Sequence, residues 1–327
     1  MSNICIYGTV YNNYNTIEYS IKSIWRPDYV IVITDNYSTD GTWEKLQEIK
    51  KEYNLILYRL RSSRGKGRDY SLRHCPDNSK TSFFDLDVEY NENFHRITEW
   101  SSLDKITYAH WLFIGKKEYI VNKGGWRDLN GAEDVELINR IGFDYYIPVI
   151  VGKSIYKGKA TKERESRYAH GTKLLLRNIN NFIDTIRGCG FNWREVYNLY
   201  FKYRRIHYSY LPIILGIYFI AKLKRIYRYS SLHDNITNSF LERLNKLTLP
   251  KELNIPDDYF LFGISRRDLL LYSDLERLAD IKLKEKIGDY KKFLCSDSLI
   301  RYVKNSEGLK KALELSNLSK IECHELN

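Results

Sequence analysis

Short apolar runs alternate with amphipathic stretches from Ile4 to Phe84. Ile4-Cys5-Ile6-Tyr7-Gly8-Thr9-Val10 is a mostly apolar, β-branched run and predicts a first strand. Asn15-Thr16-Ile17-Glu18 reads as a capping box, and Ile17, Ile21 and Ile24 follow at helical spacing. Tyr29 to Thr34 predicts the second strand. Thr42 to Lys51 predicts a helix with Trp43, Leu46 and Ile49 on one face. Leu55 to Tyr58 predicts a third strand, and Phe83-Phe84 ends a fourth after a Gly/Arg-rich loop and a short helix. This βαβαβ rhythm implies a parallel sheet with right-handed crossovers.

Beyond Val88 the pattern loosens. Tyr108 to Ile114 reads as one strand returning to the sheet, Glu133 to Ile141 as a helix, and Tyr145 to Val151 as a further strand. From about Thr172 the chain reads as helical and basic, through to the end. Two regions follow: an α/β region over residues 1–170 and a mostly helical, basic region over 171–327. Ile206 to Ala221 carries no Lys, Arg, Asp or Glu and is flanked by Arg204-Arg205 and by Lys222, Lys224 and Arg225. It fits a buried core helix, an interfacial helix with basic and tyrosine anchors, or a membrane crossing. The last is the poorest fit, since a span needs about 20 apolar residues and this run holds Pro212 and Gly216.

At 327 residues, 43% hydrophobic and 28% charged, the chain is long enough for two packed regions. Its net charge of +11 is uneven. Between Gly171 and Ser230 eleven Lys/Arg face two acids, Asp184 and Glu195, which is +9 of the total. Anionic lipid, a phosphorylated substrate or an acidic partner suits such a segment. Nucleic acid is not expected, because no recognition motif accompanies the charge. Cys5, Cys75, Cys189, Cys295 and Cys323 are odd in number and scattered, which argues against a disulfide framework and for a reducing compartment. No basic, apolar leader precedes the first strand, so the expected location is cytoplasmic, extending to the cytoplasmic face of a membrane.

The candidate chemistry sits where apolar runs end. In open parallel sheets, ligands bind outside the carboxyl ends of the strands. The second strand runs into Asp35-Asn36-Tyr37-Ser38-Thr39-Asp40-Gly41-Thr42, and the fourth into Asp85-Leu86-Asp87. Asp35 can accept hydrogen bonds from a base or a ribose, whereas Ser38 and Asp40 fit helix capping. Strand alternation puts the carboxylates of Asp85 and Asp87 on one side and Leu86 in the core. Two hard oxygen ligands suit Mg²⁺ or Mn²⁺ bridging a diphosphate. In Arg61-Ser62-Ser63-Arg64-Gly65-Lys66-Gly67-Arg68 the glycines allow close backbone approach and the cations can neutralise phosphate. Glu133-Asp134 at a helix start fits ordinary capping, or a general base that takes a proton from an acceptor hydroxyl.

Taken together, these stretches resemble the nucleotide-diphospho-sugar glycosyltransferases of family 2, with the GT-A fold. The matching stretches are TVYNNYNTIEYSIKSI, VIVITDNYSTDGT, RGKGRDYSL, FFDLDVEY and GGWRDLNGAEDVELINRIG, in the family's order and at its usual distances. The resemblance covers roughly residues 3 to 150. It implies an α/β, Rossmann-like, mixed but mainly parallel sheet flanked by helices. Thr9 and Tyr11 would then sit by the nucleotide, Asp35 would contact the base, and Arg68 would lie near the base or diphosphate. Asp85 would touch the ribose or metal-bound water, and Asp87 would bind Mn²⁺ or Mg²⁺ directly. Trp126 and Glu133 would line the acceptor side, and Asp134 would be the catalytic base.

Two features depart from the family pattern. Gly8 stands where a proline often precedes the turn after the first strand. His170 is the lone candidate for the third metal ligand that usually follows the last core strand, and Arg164, Arg167 and Tyr168 are candidates for a loop over the diphosphate. The expected activity is a metal-dependent, inverting transfer of a sugar from a nucleotide-diphosphate donor. The acceptor would be a glycan, a lipid-linked molecule or a protein, with membrane contact through residues 204–228. The competing readings are a catalytically silent glycan-binding or scaffold protein that keeps this fold, and a nucleotidyltransferase. The latter would want a glycine-rich loop where Tyr11-Asn12-Asn13 stands.

Overall fold

The computed structural model describes residues 4–156, 171–227, 235–265, 274–297, 299–315 and 321–326. Its centre is a seven-stranded sheet in the order β3-β2-β1-β4-β7-β6-β8. The strands are β1 (Ile4–Val10), β2 (Tyr29–Asp35), β3 (Leu55–Arg59), β4 (Lys80–Phe83), β6 (Thr107–Ala109), β7 (Leu112–Lys116) and β8 (Tyr145–Tyr146). β1 pairs in parallel with β2 and β4, and β2 in parallel with β3. Only β7 runs antiparallel to its neighbours, β4 and β6. A small ribbon, β5 (Val88–Tyr90) against β9 (Gly152–Ser154), stands beside the sheet.

Strand alternation divides the core. Ile4 and Ile6 of β1, with Ile31 and Ile33 of β2, face one cluster, which α1 (Ile17–Ile24) covers with Ile17, Ile21 and Ile24. Cys5 and Tyr7, with Val32, face the other, covered by Leu72 of α3 (Arg64–Arg73). Both faces of the sheet are therefore buried, as parallel sheets require. α2 (Thr42–Ile49), α4 (Glu92–Trp100), α5 (Lys117–Asn122) and α6 (Glu133–Ile141) complete the layers.

Two local expectations change. No capping box forms at α1: Thr16 is the N-cap, but its hydroxyl donates to the carbonyl of Leu86 at 2.8 Å instead of capping the helix. The single strand expected over 108–114 is a hairpin, β6–β7, in which Ala109 pairs Leu112 across His110-Trp111. Trp111, the second of the two turn residues, has φ +62°, the left-handed conformation that a type II turn places at that position.

Residues 171–227 are helical, as expected. α7 (Gly171–Cys189), α8 (Trp193–Tyr197) and α9 (Leu211–Leu223) share a core of Ile183, Ile186, Phe191, Val196, Ile214 and Ile217. α9 is half buried, with Ile214, Ile217 and Ala221 inside. No helix among the described residues is long and apolar enough to cross a membrane.

The remainder is less helical than the sequence suggests. Between α10 (Asn235–Asn245), α11 (Leu275–Ile287) and α12 (Ser306–Leu315) lies a four-stranded antiparallel sheet. Its strands are β10 (Phe262–Ser265), β11 (Lys291–Cys295), β12 (Leu299–Val303) and β13 (Cys323–Leu326). Phe240, Phe262 and Tyr302 join the same core cluster as Tyr7, Phe83 and Trp126, so this part packs onto the front sheet.

The expectation of unpaired cysteines is overturned. Cys5 of β1 is bonded to Cys75, just beyond α3, and Cys295 to Cys323. Their scatter in sequence hid the pairing: α3 returns its end to β1, and the β11–β13 register sets Cys295 opposite Cys323. Cys189 is free. The argument from cysteines to a reducing compartment falls with it.

Candidate active site

The strand ends of β1, β2 and β4 meet at one edge of the sheet. A cleft of about 500 Å³ opens there, within the range of small-molecule sites. Thr9, Tyr11, Arg68, Asp85 and Asp87 all line it. Alternation works as expected in Asp85-Leu86-Asp87: Leu86 is buried in the core while both aspartates face the cleft.

Two turns form the wall. Asn12 and Asn13 donate backbone N–H groups to Ser38 Oγ and Thr42 Oγ1, at 2.9 and 2.8 Å. Asp40 accepts from the N–H groups of Thr42 and Tyr14, although the N-cap of α2 is Gly41, with no side-chain cap bond. Asp35 is fully buried. Its carboxylate accepts from the Ser38 N–H at 3.1 Å and from Arg59 Nε at 3.0 Å. The neighbouring Asn36 lines the cleft. Asp35 itself is not among the residues lining the cleft.

The Gly/Arg stretch from Arg64 onward is a helix start, not an open loop. Arg64 to Arg68 form the first turn of α3, and its N–H groups are engaged. Arg64 N–H donates to Asn130 Oδ1, Gly65 N–H to the Leu129 carbonyl, and Lys66 N–H to Ser63 Oγ. The glycines serve close packing instead. A Cβ on Gly65 would stand 1.9 Å from the Arg127 carbonyl oxygen, and one on Gly67 2.3 Å from Thr9 Oγ1. Gly8 has a similar reason, since its Cβ would meet Leu86 and Phe84 at 2.9 Å.

Arg68 is the hub. It is 4% exposed, and its guanidinium lies 4.8 Å from the ring centroids of both Phe83 and Trp126. It pairs with Asp85 on one side and donates from Nη1 to Glu133 Oε1 at 2.9 Å on the other. Arg64 reaches the same Glu133 oxygen at 3.2 Å. Glu133 is almost fully buried, and its Oε2 has no hydrogen-bond partner among the described residues.

Asp134 follows at the start of α6. Burial and the adjacent Glu133 raise its pKa above the ordinary aspartate value. The residue before the pair, Ala132, has φ +56°. Gly188 of α7 presses on it, since a Cβ there would lie 2.6 Å from the Ala132 carbonyl oxygen. Asp184, also on α7, accepts the Asn130 N–H at 2.9 Å. The back region therefore shapes the turn that carries Glu133 and Asp134.

Trp126 is corrected. It is 4% exposed, donates from Nε1 to the Tyr7 hydroxyl at 2.9 Å, and packs edge-on to Phe83. It supports Arg68 from the core and does not line the cleft. His170, Arg164, Arg167 and Tyr168 lie outside the described residues. Sequence reasoning missed Lys173, Arg177 and Asn181 of α7, which line the cleft. The excess of positive charge beginning near Thr172 was the available signal.

The donor set fits a divalent cation in part. Asp85 and Asp87 supply carboxylate oxygens within the cleft, and no cluster of three His, Cys, Asp or Glu occurs among the described residues. Mg²⁺ and Mn²⁺ sites of this kind are completed by water and substrate phosphate oxygens.

The family model described as glycosyl transferase family 2 matches residues 5–97. No curated protein sequence matches. Among solved structures, S. aureus TarS is similar, with a TM-score of 0.43 at 12% identity over 90% of this chain. This chain spans 57% of the length of that structure. TarS 1–349 in complex with UDP-GlcNAc gives 0.39 at 14% identity, over 94% of this chain and 97% of that one. The mannosyltransferase PcManGT from Pyrobaculum calidifontis, in complex with GDP-Man and Mn²⁺, gives 0.43 at 14% identity over 86% and 84%.

Proposed function

We propose that this chain, whose residues 5–97 carry a family 2 glycosyl transferase segment, is a metal-dependent inverting glycosyltransferase using a nucleotide-diphosphate sugar. The observation that carries the proposal is the gathering of Thr9, Tyr11, Arg68, Asp85 and Asp87 around one cleft at the strand ends. In this reading Thr9, Tyr11 and Asn36 hold the nucleotide. Asp87, with Asp85, holds the cation, which when bound neutralises the diphosphate on which negative charge develops.

Asp134 acts as the general base. It takes the proton of the acceptor hydroxyl as that oxygen bonds to the anomeric carbon, and the bond from that carbon to the diphosphate breaks on the opposite face. One displacement inverts the centre. The raised proton affinity of Asp134 suits this, because a base must bind the proton it removes. Arg68 fixes Asp85 and Glu133 relative to each other, and so ties the donor side to the start of α6. Lys173 and Arg177 add positive charge to the cleft lining. The silent-fold reading keeps the cleft but predicts no turnover.

The test is a thermal-shift screen of UDP-, GDP- and dTDP-sugars with and without Mn²⁺. One nucleotide stabilises the protein only with metal, and Asp87→Ala abolishes the effect. Failure of every donor to stabilise contradicts the proposal.

A further inference from the structure

The second face of α9 has no partner among the described residues. Ile214, Ile217 and Ala221 pack toward Ile183 and Ile186 of α7. On the other side Ile213 is 57% exposed, Leu215 44%, Phe219 60% and Leu223 73%. Isolated apolar residues at a surface are unremarkable, but a contiguous set on one helix marks an interaction site.

Within residues 171–227 the exposed charges are of one sign. Lys202, Arg204 and Arg205 precede it, and Lys222, Lys224 and Arg225 follow, all exposed. The segment 171–227 contains two acids, and neither reaches the surface. Asp184 is buried and pairs with Arg187 at 2.7 Å; Glu195 is buried and accepts the Asn192 N–H in a capping box. Tyr208 and Tyr210, both exposed, stand at the start of the helix. At 13 residues α9 is about 20 Å long, too short for a hydrocarbon core of about 30 Å but long enough to lie in its interface.

We propose that this face of α9 docks on an anionic lipid bilayer. An apolar strip sinks below the headgroups while the cationic rim meets their phosphates. Charge decides the occupant. A second copy related by a two-fold axis would bring the two cationic rims together, which is unfavourable. Exposed apolar residues also occur on α7, the helix against which α9 packs. Leu175 and Leu176 of α7 are each 61% exposed, and Leu176 lines the cleft. Docking that engages Leu175 and Leu176 together with α9 would set the cleft mouth at the membrane surface, where an acceptor hydroxyl on a lipid-anchored molecule would be presented. This last step rests on the transferase reading; the docking itself does not.

The test is cosedimentation of the full chain with phosphatidylcholine vesicles, with and without phosphatidylglycerol, and with no nucleotide present. The chain pellets with the anionic vesicles, and added salt weakens the binding by screening the rim. Phe219→Glu with Leu223→Glu reduces binding about tenfold or more while leaving the melting temperature unchanged. Absence of binding to anionic vesicles, or equal binding by the double variant, overturns the proposal. So does a dimer in solution that the double variant dissolves without any vesicle binding by the intact chain. Because no donor is present, either result stands apart from the nucleotide-sugar screen.

Discussion

Arg68 donates from Nη1 to Glu133 Oε1 at 2.9 Å, and both side chains are buried. Removing one member of such a pair leaves the other charged and desolvated, at a cost of about 3–5 kcal/mol. Arg68→Ala is therefore expected to lower the thermal midpoint sharply, and Glu133→Gln less, since a neutral amide still accepts from Arg68. Thermal denaturation followed by circular dichroism checks the order. Equal midpoints for wild type and Arg68→Ala would contradict it.

Asp134 should leave its mark in the pH profile. Its proton affinity is raised, so the fraction of active, ionised base falls as pH falls through a value above that of an ordinary aspartate. The acidic limb of kcat/KM then lies above the usual carboxylate range. Asp134→Asn removes that limb and lowers kcat by about 10²–10⁴-fold, the usual contribution of a general base. A full-activity Asp134→Asn enzyme would exclude the residue as base.

Gly65 tests the close approach of α3 to the segment before α6. An alanine methyl there meets the Arg127 carbonyl oxygen at 1.9 Å, and backbone cannot rotate away as a side chain can. Gly65→Ala is expected to cost about 1–3 kcal/mol by overpacking, and to weaken donor binding as the cleft wall shifts. Urea denaturation measures the first effect and calorimetry the second. By contrast Lys66→Ala, on the exposed side of the same turn, should change stability little.

That contrast shows what was readable in the chain. Asp85-Leu86-Asp87 was legible because strand alternation is local: neighbours alone decide which way each side chain points. The reason for Gly65 in the Arg64–Arg68 turn is not legible locally, because it comes from Arg127, far away in sequence. Trp126 was misplaced for the same reason, its surroundings being Tyr7 and Phe83. Lys173 and Arg177 reach the cleft through the packing of α7 against the Asn130–Ala132 turn, a long-range event with no local signature. The β10–β13 sheet consists of strands of four or five residues, too short for a clear periodicity.

Thiol counting checks the cysteine pairing. With Cys5–Cys75 and Cys295–Cys323 bonded, denatured and unreduced protein should give one thiol per chain, from Cys189. Five thiols under those conditions would contradict the pairing. Where the bonds are present, reduction should lower stability by about 2–4 kcal/mol per bond, because the unfolded chain regains freedom.

The most direct measurement is turnover. The intact protein is incubated with Mn²⁺, the nucleotide sugar that stabilises it and a candidate acceptor hydroxyl, and release of nucleoside diphosphate is followed. Asp134→Asn and Asp87→Ala are run beside it, with donor binding measured separately. The account predicts release by the intact chain, loss of release with donor binding retained in Asp134→Asn, and loss of both in Asp87→Ala. Release undiminished in both variants, or none from any donor that binds, would contradict it.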